Sequence, residues 1–214
     1  MSSSSCSNRI GLIETEKLEI PVDENEFVGP TKRSYWLSKN RIAVGCSPSR
    51  AKMLQRLIEQ GEIRVFVNLM TQKEVDRDGG HYFERKVPNF YCEKRKKEEF
   101  HYHFHPIYDM QTCSDQEALE LVNIVLDHFN KGRKIYIHCR GGHGRSGVIA
   151  ALLIFHLYKL DSWNTLELLT KMHKTRKDVQ ENYYTSPQTS EQKNQVYRII
   201  SALERSSEKP PLVE

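Results

Sequence analysis

Ten consecutive residues carry the densest chemistry in this sequence: His138-Cys139-Arg140-Gly141-Gly142-His143-Gly144-Arg145-Ser146-Gly147. The cysteine ends an apolar run, Lys134 to His138 (KIYIH), and an arginine follows six positions later, at the head of a second apolar run. A strand, a tight glycine loop and a helix in that order gather backbone N–H groups and a helix N-terminus around one point, which makes a cradle for an anion. A thiol at the strand end feels the helix dipole, the ring of donors and the Arg145 charge, and all three favour the nucleophilic thiolate. Arg145 can grip two oxygens of a tetrahedral dianion in a fork. Ser146 is placed to hydrogen-bond the sulfur and help it leave. His138 faces the other side of its strand from Cys139, so it braces the loop instead. A Walker-type nucleotide loop would need Gly-Lys-Ser/Thr where this chain has Gly144-Arg145-Ser146, and its upstream glycine would stand at another distance.

The pattern His-Cys-x-x-Gly-x-x-Arg-Ser resembles the signature of the protein tyrosine phosphatase superfamily. That resemblance implies a phosphatase working through a phosphocysteine intermediate, with Arg140, Gly141, Gly142, His143, Gly144 and Arg145 as the phosphate-binding loop. It also asks for an upstream aspartate as general acid. His105-Pro106-Ile107-Tyr108-Asp109-Met110 is similar to the Pro-x-x-Asp segment of compact dual-specificity phosphatases of the kinase-associated type, which makes Asp109 the candidate. Asp115 competes for the role, but beside Ser114 it is better placed to serve a helix N-terminus. Ser186 to Gln192 (SPQTSEQ) is similar to a segment in which a glutamine helps place water, and this makes Gln192 a supporting candidate. The same three-residue spacing also gives a capping box from Thr189 to Gln192.

The resemblance implies no cofactor and no metal, and a phosphorylated protein as the substrate partner. Other anionic phosphate esters are the alternative: Arg140 and His143 could add positive charge for a phosphoinositide or an RNA 5′ end. Lipid-directed relatives favour lysines at those two positions, and RNA-directed ones carry Asn where this chain has Gly144. A third reading is a module that binds phosphoproteins without turnover, which the intact Cys139, Arg145 and Asp109 oppose. Ser38 to Ile42 (SKNRI) lacks the tyrosine of the phosphotyrosine-recognition loop found in large tyrosine-specific phosphatases, so the compact subgroup is the nearer match.

The elements around the loop alternate. Arg41 to Gly45, Arg64 to Met70, Phe100 to Ile107 and Lys134 to His138 read as strands. Ser47 with Pro48 signals a helix start, followed by the apolar face of Met53, Leu54, Leu57 and Ile58 and a stop at Gly61. Ser114 and Glu117 form a capping box ahead of Ala118, Val122, Val125 and Phe129. Further helices run from Ser146 to Leu160, and over 162–174 and 189–204. Strands separated by helices predict an α/β fold with a central, mostly parallel sheet flanked by helices on both faces.

Residues 1–33 read as an N-terminal lead-in, 34–205 as the catalytic domain and 206–214 as a C-terminal tail. With 214 residues, 38% hydrophobic and 28% charged, the chain fits one folded domain. No apolar run approaches the ~20 residues of a membrane span. A net charge of +4 suits an anionic substrate and is too small to signal a nucleic-acid site. Five widely spaced cysteines, no CxxC pair and no secretory signal predict free thiols in the cytoplasm or nucleus. His101, His103 and His105 share a strand face but lack acidic or thiol partners for a metal. Glu93 to Glu99 (EKRKKEE), with its basic run 94–97, reads as a solvated loop or as a flap over the site.

Overall fold

The computed structural model describes residues 11–79, 81–87, 99–182 and 184–207. Five short strands form one sheet: β1 (Ser34–Ser38), β2 (Ile42–Gly45), β3 (Val65–Asn68), β4 (His101–Phe104) and β5 (Ile135–His138). Their spatial order is β1-β2-β5-β3-β4. The β1–β2 hairpin is antiparallel and every other pairing is parallel. The parallel register places Gly45 and Asn68 on either side of His138, so β5 is the central strand and its C-terminal end opens between two neighbours.

Strand side chains alternate between two cores. Val65, Val67, Ile135 and Ile137 face a large cluster built from α4 (Asp115–Asn130), α5 (Arg145–Tyr158), α6 (Ser162–Lys174) and α8 (Ser190–Ser207). Phe66 and Tyr136 face a smaller one with α1 (Ala51–Gln55), the π-helical turn Arg56–Gln60 and α3 (Tyr82–Lys86). The expected α/β class and two-sided cover are what the chain adopts. Two further helices, α2 (Gln72–Asp78) and α7 (Lys177–Asn182), flank the mouth of β5.

The helix α5 is buried along almost its whole length, with only Phe155 half-exposed. A helix apolar on all sides belongs in the middle of a core, and this one carries Arg145 and Ser146 at its first turn. The capping box at the start of α4 forms as expected, with Ser114 Oγ accepting from Glu117 N–H and the Glu117 carboxylate accepting from Ser114 N–H.

One local expectation is corrected. Ser47 does not cap a helix: its N–H donates to the Arg140 carbonyl (3.1 Å), so residues 47–50 run along the loop and α1 begins at Ala51. The stop expected at Gly61 holds: Gly61 caps the π-helical turn, and the chain reverses at the next residue, Glu62 (φ 52°). A strand that the sequence reading passed over, β1, adds Tyr35 and Leu37 to the large core. Residues 11–33 lie against the helices. Asn123 holds Gly11 O and Ile13 N–H, Asn130 holds Glu14 O, and Phe27 is buried in the large core. Residues 1–10 and 208–214 and the basic run 94–97 lie outside the described residues.

Candidate active site

The cradle stands at the C-terminal end of β5, where strand gives way to loop and loop to the N-terminus of α5. Cys139 is buried, and its Sγ accepts the Gly142 N–H at 3.2 Å, with Ser146 Oγ at 3.5 Å. Gly142 has φ +78°, and a Cβ there would stand 2.2 Å from the Gly45 carbonyl carbon. The loop therefore sits on the end of β2 at a distance that only glycine permits. Gly147 is equally constrained: a Cβ would come 2.4 Å from Ser186 Oγ, which donates to His143 O at 2.8 Å.

Arg145 is 2% exposed, which a lone charge cannot be. Its partner is Glu74, a residue the sequence reading missed. The Nη1 and Nη2 groups reach the two Glu74 oxygens at 2.7 and 2.8 Å, end-on. Nη1 also donates to Ile107 O (2.8 Å), and Nη2 to Asp109 Oδ1 (2.8 Å). Its Nε is buried with no hydrogen-bond partner among the described residues, a cost that a ligand oxygen would remove. Burial pushes the Glu74 carboxyl up, but hydrogen bonds from Arg145 and Thr71 outweigh it and hold the group below the usual range. The signal was in the sequence: Thr71 and Glu74 form a capping box at the start of α2, between two expected strands where no helix was assigned.

Asp109 lies in the loop after β4 with its side chain 56% exposed, tied to the centre through Arg145. Asp115 is not at the site. It receives Arg198 at 2.6 and 2.7 Å and Gln195 at 3.2 Å, pairing α4 with α8. Gln192 is fully buried. Its Oε1 accepts from Gln188 and Thr189 N–H, and its Nε2 donates to Gln111 O, two residues past Asp109. A Cβ on Gly144 would lie 2.9 Å from the same amide. Gln192 thus caps α8 and spans the Cys139 and Asp109 loops at once.

His138 braces the loop as expected. Its Nδ1 donates to Cys139 O (3.2 Å), so Nε2 accepts from Tyr82 Oη (2.7 Å). Burial pushes its pKa down to about 3, which keeps it neutral.

His143 does not supply the positive charge that the alternative phosphate-ester reading would draw on. The ring is buried against His173 (Nδ1 to Nε2, 2.9 Å) and Tyr184, and burial pushes its pKa down to about 4. Arg140 is half-exposed, with Nε 2.7 Å from Asp78, which offsets its charge. His103 pairs with His128 at 2.8 Å, and His128 in turn accepts from Arg133. Among the described residues no three His, Cys, Asp or Glu side chains are grouped as metal ligands.

Residues 31–199 match the family model of the Swiss Army Knife protein, DSP-PTPase phosphatase domain. The chain belongs to this DSP-PTPase family. Among curated relatives of this DSP-PTPase chain, the protein named "Putative tyrosine phosphatase 067L" of Invertebrate iridescent virus 3 is 37% identical over 76 residues, 34% of this chain and 32% of that protein. "Putative tyrosine phosphatase 197R" of Invertebrate iridescent virus 6 is 41% identical over 54 residues, 25% and 20% of the respective lengths. The chain therefore spans about a third or less of the curated relatives it matches.

The fold recurs in solved structures. Tk-PTP in its active form superposes with a TM-score of 0.56 at 20% identity, covering 81% of this chain and 97% of that one. Kinase associated phosphatase gives 0.57 at 20% identity, with 76% and 87% covered. PTPMT1 in complex with PI(5)P gives 0.60 at 14% identity, with 81% and 98% covered.

Proposed function

We propose that this DSP-PTPase domain hydrolyses phosphate monoesters through a phosphocysteine on Cys139, and that its substrate is a phosphorylated protein. The observation that carries the reading is the buried Arg145. Glu74 fills one edge of its fork, while Nε on the other has no partner among the described residues. A phosphate bound by the loop amides takes the Nε–Nη2 edge and displaces the Asp109 carboxylate from Nη2, which frees it to take up a proton from solvent and face the leaving group.

The Cys139 thiolate then attacks phosphorus in line. The P–S bond forms as the ester P–O bond breaks, and Asp109 gives its proton to the departing oxygen. The amides and Arg145 stabilise the equatorial oxygens, where charge spreads in the transition state. In the second step Asp109, now a carboxylate, takes a proton from water, which attacks phosphorus. The P–S bond breaks, and the Ser146 hydroxyl donates to the departing sulfur. Gln192, in reach of both loops, helps place that water.

The neutral His143 and the Asp78-paired Arg140 favour a phosphoprotein over a polyanionic lipid headgroup or RNA end. The free thiols of Cys46, Cys113 and Cys139 support a reducing compartment, cytoplasm or nucleus. No helix among the described residues is long and apolar enough to cross a membrane.

The test compares wild type with Cys139→Ser on p-nitrophenyl phosphate. The expected result is loss of roughly 10⁴-fold or more in kcat; equal rates would remove catalysis by this cysteine and leave a phosphoprotein-binding module. Phosphotyrosine peptides, phosphothreonine peptides, inositol phospholipids and 5′-phosphorylated RNA, assayed side by side, decide the substrate. Faster turnover of either non-protein class overturns the phosphoprotein assignment.

A further inference from the structure

The loop turns its carbonyls outward, and each one meets a donor. Arg140 O accepts from Ser47 N–H (3.1 Å), His143 O from Ser186 Oγ (2.8 Å) and Gly144 O from Val148 N–H (3.1 Å). The two carbonyls in the middle of the arc, Gly141 O and Gly142 O, go to one side chain: Arg176 donates Nη2 to the first at 2.9 Å and Nη1 to the second at 2.7 Å. In a trans peptide C=O and N–H point opposite ways. Fixing the Gly141 and Gly142 carbonyls outward therefore fixes the Gly142 and His143 N–H groups inward, and the first of these already meets Cys139 Sγ.

Arg176 sits between α6 and α7, 1% exposed. Asp178 holds it, accepting from Nε at 2.9 Å and from Nη2 at 2.7 Å, and Arg33 reaches the same carboxylate at 3.2 Å. A structural ion pair alone would account for the Arg176–Asp178 contact. It does not account for the remaining donors being aimed at two consecutive glycine peptides of the phosphate loop. Glycine has the weakest backbone preference of its own, and Gly142 is at positive φ, so this arrangement must be imposed from outside. A charged donor on a carbonyl also polarises the same peptide's N–H and makes it the stronger donor.

We propose that Arg176 is a positioning residue for phosphoryl transfer. Its guanidinium, held by Asp178, clamps the Gly141 and Gly142 carbonyls so that the Gly142 and His143 amides point at the phosphoryl oxygens. The proposal rests on the phosphatase reading of the Cys139 loop. Arg176 touches neither sulfur nor substrate, and a lysine, a point charge on a flexible stem, cannot bridge two carbonyls and a carboxylate in one plane.

The experiment measures kcat and KM on p-nitrophenyl phosphate and inhibition by orthovanadate for wild type, Arg176→Lys and Asp178→Asn, with thermal melting beside each. Arg176→Lys is expected to fold, to lose about 10- to 100-fold in kcat, and to weaken vanadate binding by a similar factor, because the amides act on the pentacoordinate state more than on the ground state. Its loss is the same for aryl and alkyl phosphates, since equatorial oxygens do not report the leaving group. Asp178→Asn, which loosens the clamp without removing it, loses about tenfold or less. Wild-type kcat and vanadate affinity in folded Arg176→Lys overturn the proposal, as does a lower melting temperature with unchanged kcat per folded site. If wild type itself turns nothing over, the phosphatase reading has failed. Vanadate affinity then judges the clamp alone: weaker binding in Arg176→Lys sustains it, and equal binding overturns it.

Discussion

The Cys139 loop and the Asp109 loop meet at the same guanidinium, yet they are held in opposite ways. Around the first, Ser47, Arg176, Ser186 and α5 itself take the outward carbonyls from Arg140 to Gly144, and Gly142 and Gly147 leave no room for a Cβ. The second carries Tyr108 at 72% exposure, Asp109 half in solvent and Met110 at φ 64°. The contact of Asp109 with Arg145 and that of Gln111 O with Gln192 tie it down. The difference separates two tasks. In the proposed mechanism charge stabilisation needs donors that do not reorganise during the reaction, whereas Asp109, proposed to leave the arginine, protonate one oxygen and later activate water, needs freedom to move.

The sharpest way to break this contrast is Gly142→Ala. The backbone there is left-handed and the new methyl would collide with the Gly45 carbonyl, so the loop must deform. Hydrolysis of p-nitrophenyl phosphate is expected to fall by about 10³-fold or more, with a drop in melting temperature. An active, stable Gly142→Ala would mean that the loop is far softer than its contacts imply.

Next in size is Asp109→Asn. Its kcat is expected to fall by about 10²- to 10³-fold on alkyl phosphates and by less on aryl phosphates, whose oxygens leave without help. Vanadate binding should hold or tighten, because the competing carboxylate on Arg145 Nη2 is gone. A parallel loss of vanadate affinity would show that Asp109 builds the cradle rather than moving through it.

The smallest effect is on stability against pH, and the histidines in and behind the rigid loop carry a share of it beside His128, which burial also pushes down to about 4. Burial pushes the pKa of His138 to about 3, of His143 to about 4 and of His173 to about 3, with Arg176 adding to the shift at the last two. The unfolded chain, with histidines near 6.5, takes up protons first. Stability is therefore whole above about pH 6.5 and declines as pH falls through 5 toward 4. Melting temperature is expected to drop by roughly 4 °C or more across that window, and His173→Gln should flatten the slope. An unchanged slope in that variant would place the acid sensitivity elsewhere.

The same contrast explains what could be read from the sequence. Cys139, Arg145, Ser146 and the glycines form one short segment whose spacing is the site, and the capping box at Ser114 and Glu117 is local too, so both were legible. Glu74 was hidden by its setting: its own capping box with Thr71 lay between expected strands, with no long apolar face behind it to mark a helix. Arg176 and Ser186 act on carbonyls more than thirty residues away, and no spacing rule connects them. The charge of His143 was left open because sequence shows a histidine's identity and not its burial. The strand β1 was missed because its buried residues, Ser34 to Leu37, give no alternation.

The segment from Gly11 to Leu18 gives α5 a fixed far end. Leu18 N–H donates to the Leu157 carbonyl (2.8 Å) and His156 Nε2 to Ile13 O (2.8 Å), so the last turn of the helix, where carbonyls normally lack partners, is fastened. Since the opposite end of α5 presents Arg145 and Ser146, the helix is a beam clamped about twenty ångströms from its working tip. Trimming that leading strap would let the beam rock, and on the proposed reading a chain shortened there would lose turnover before it lost its fold.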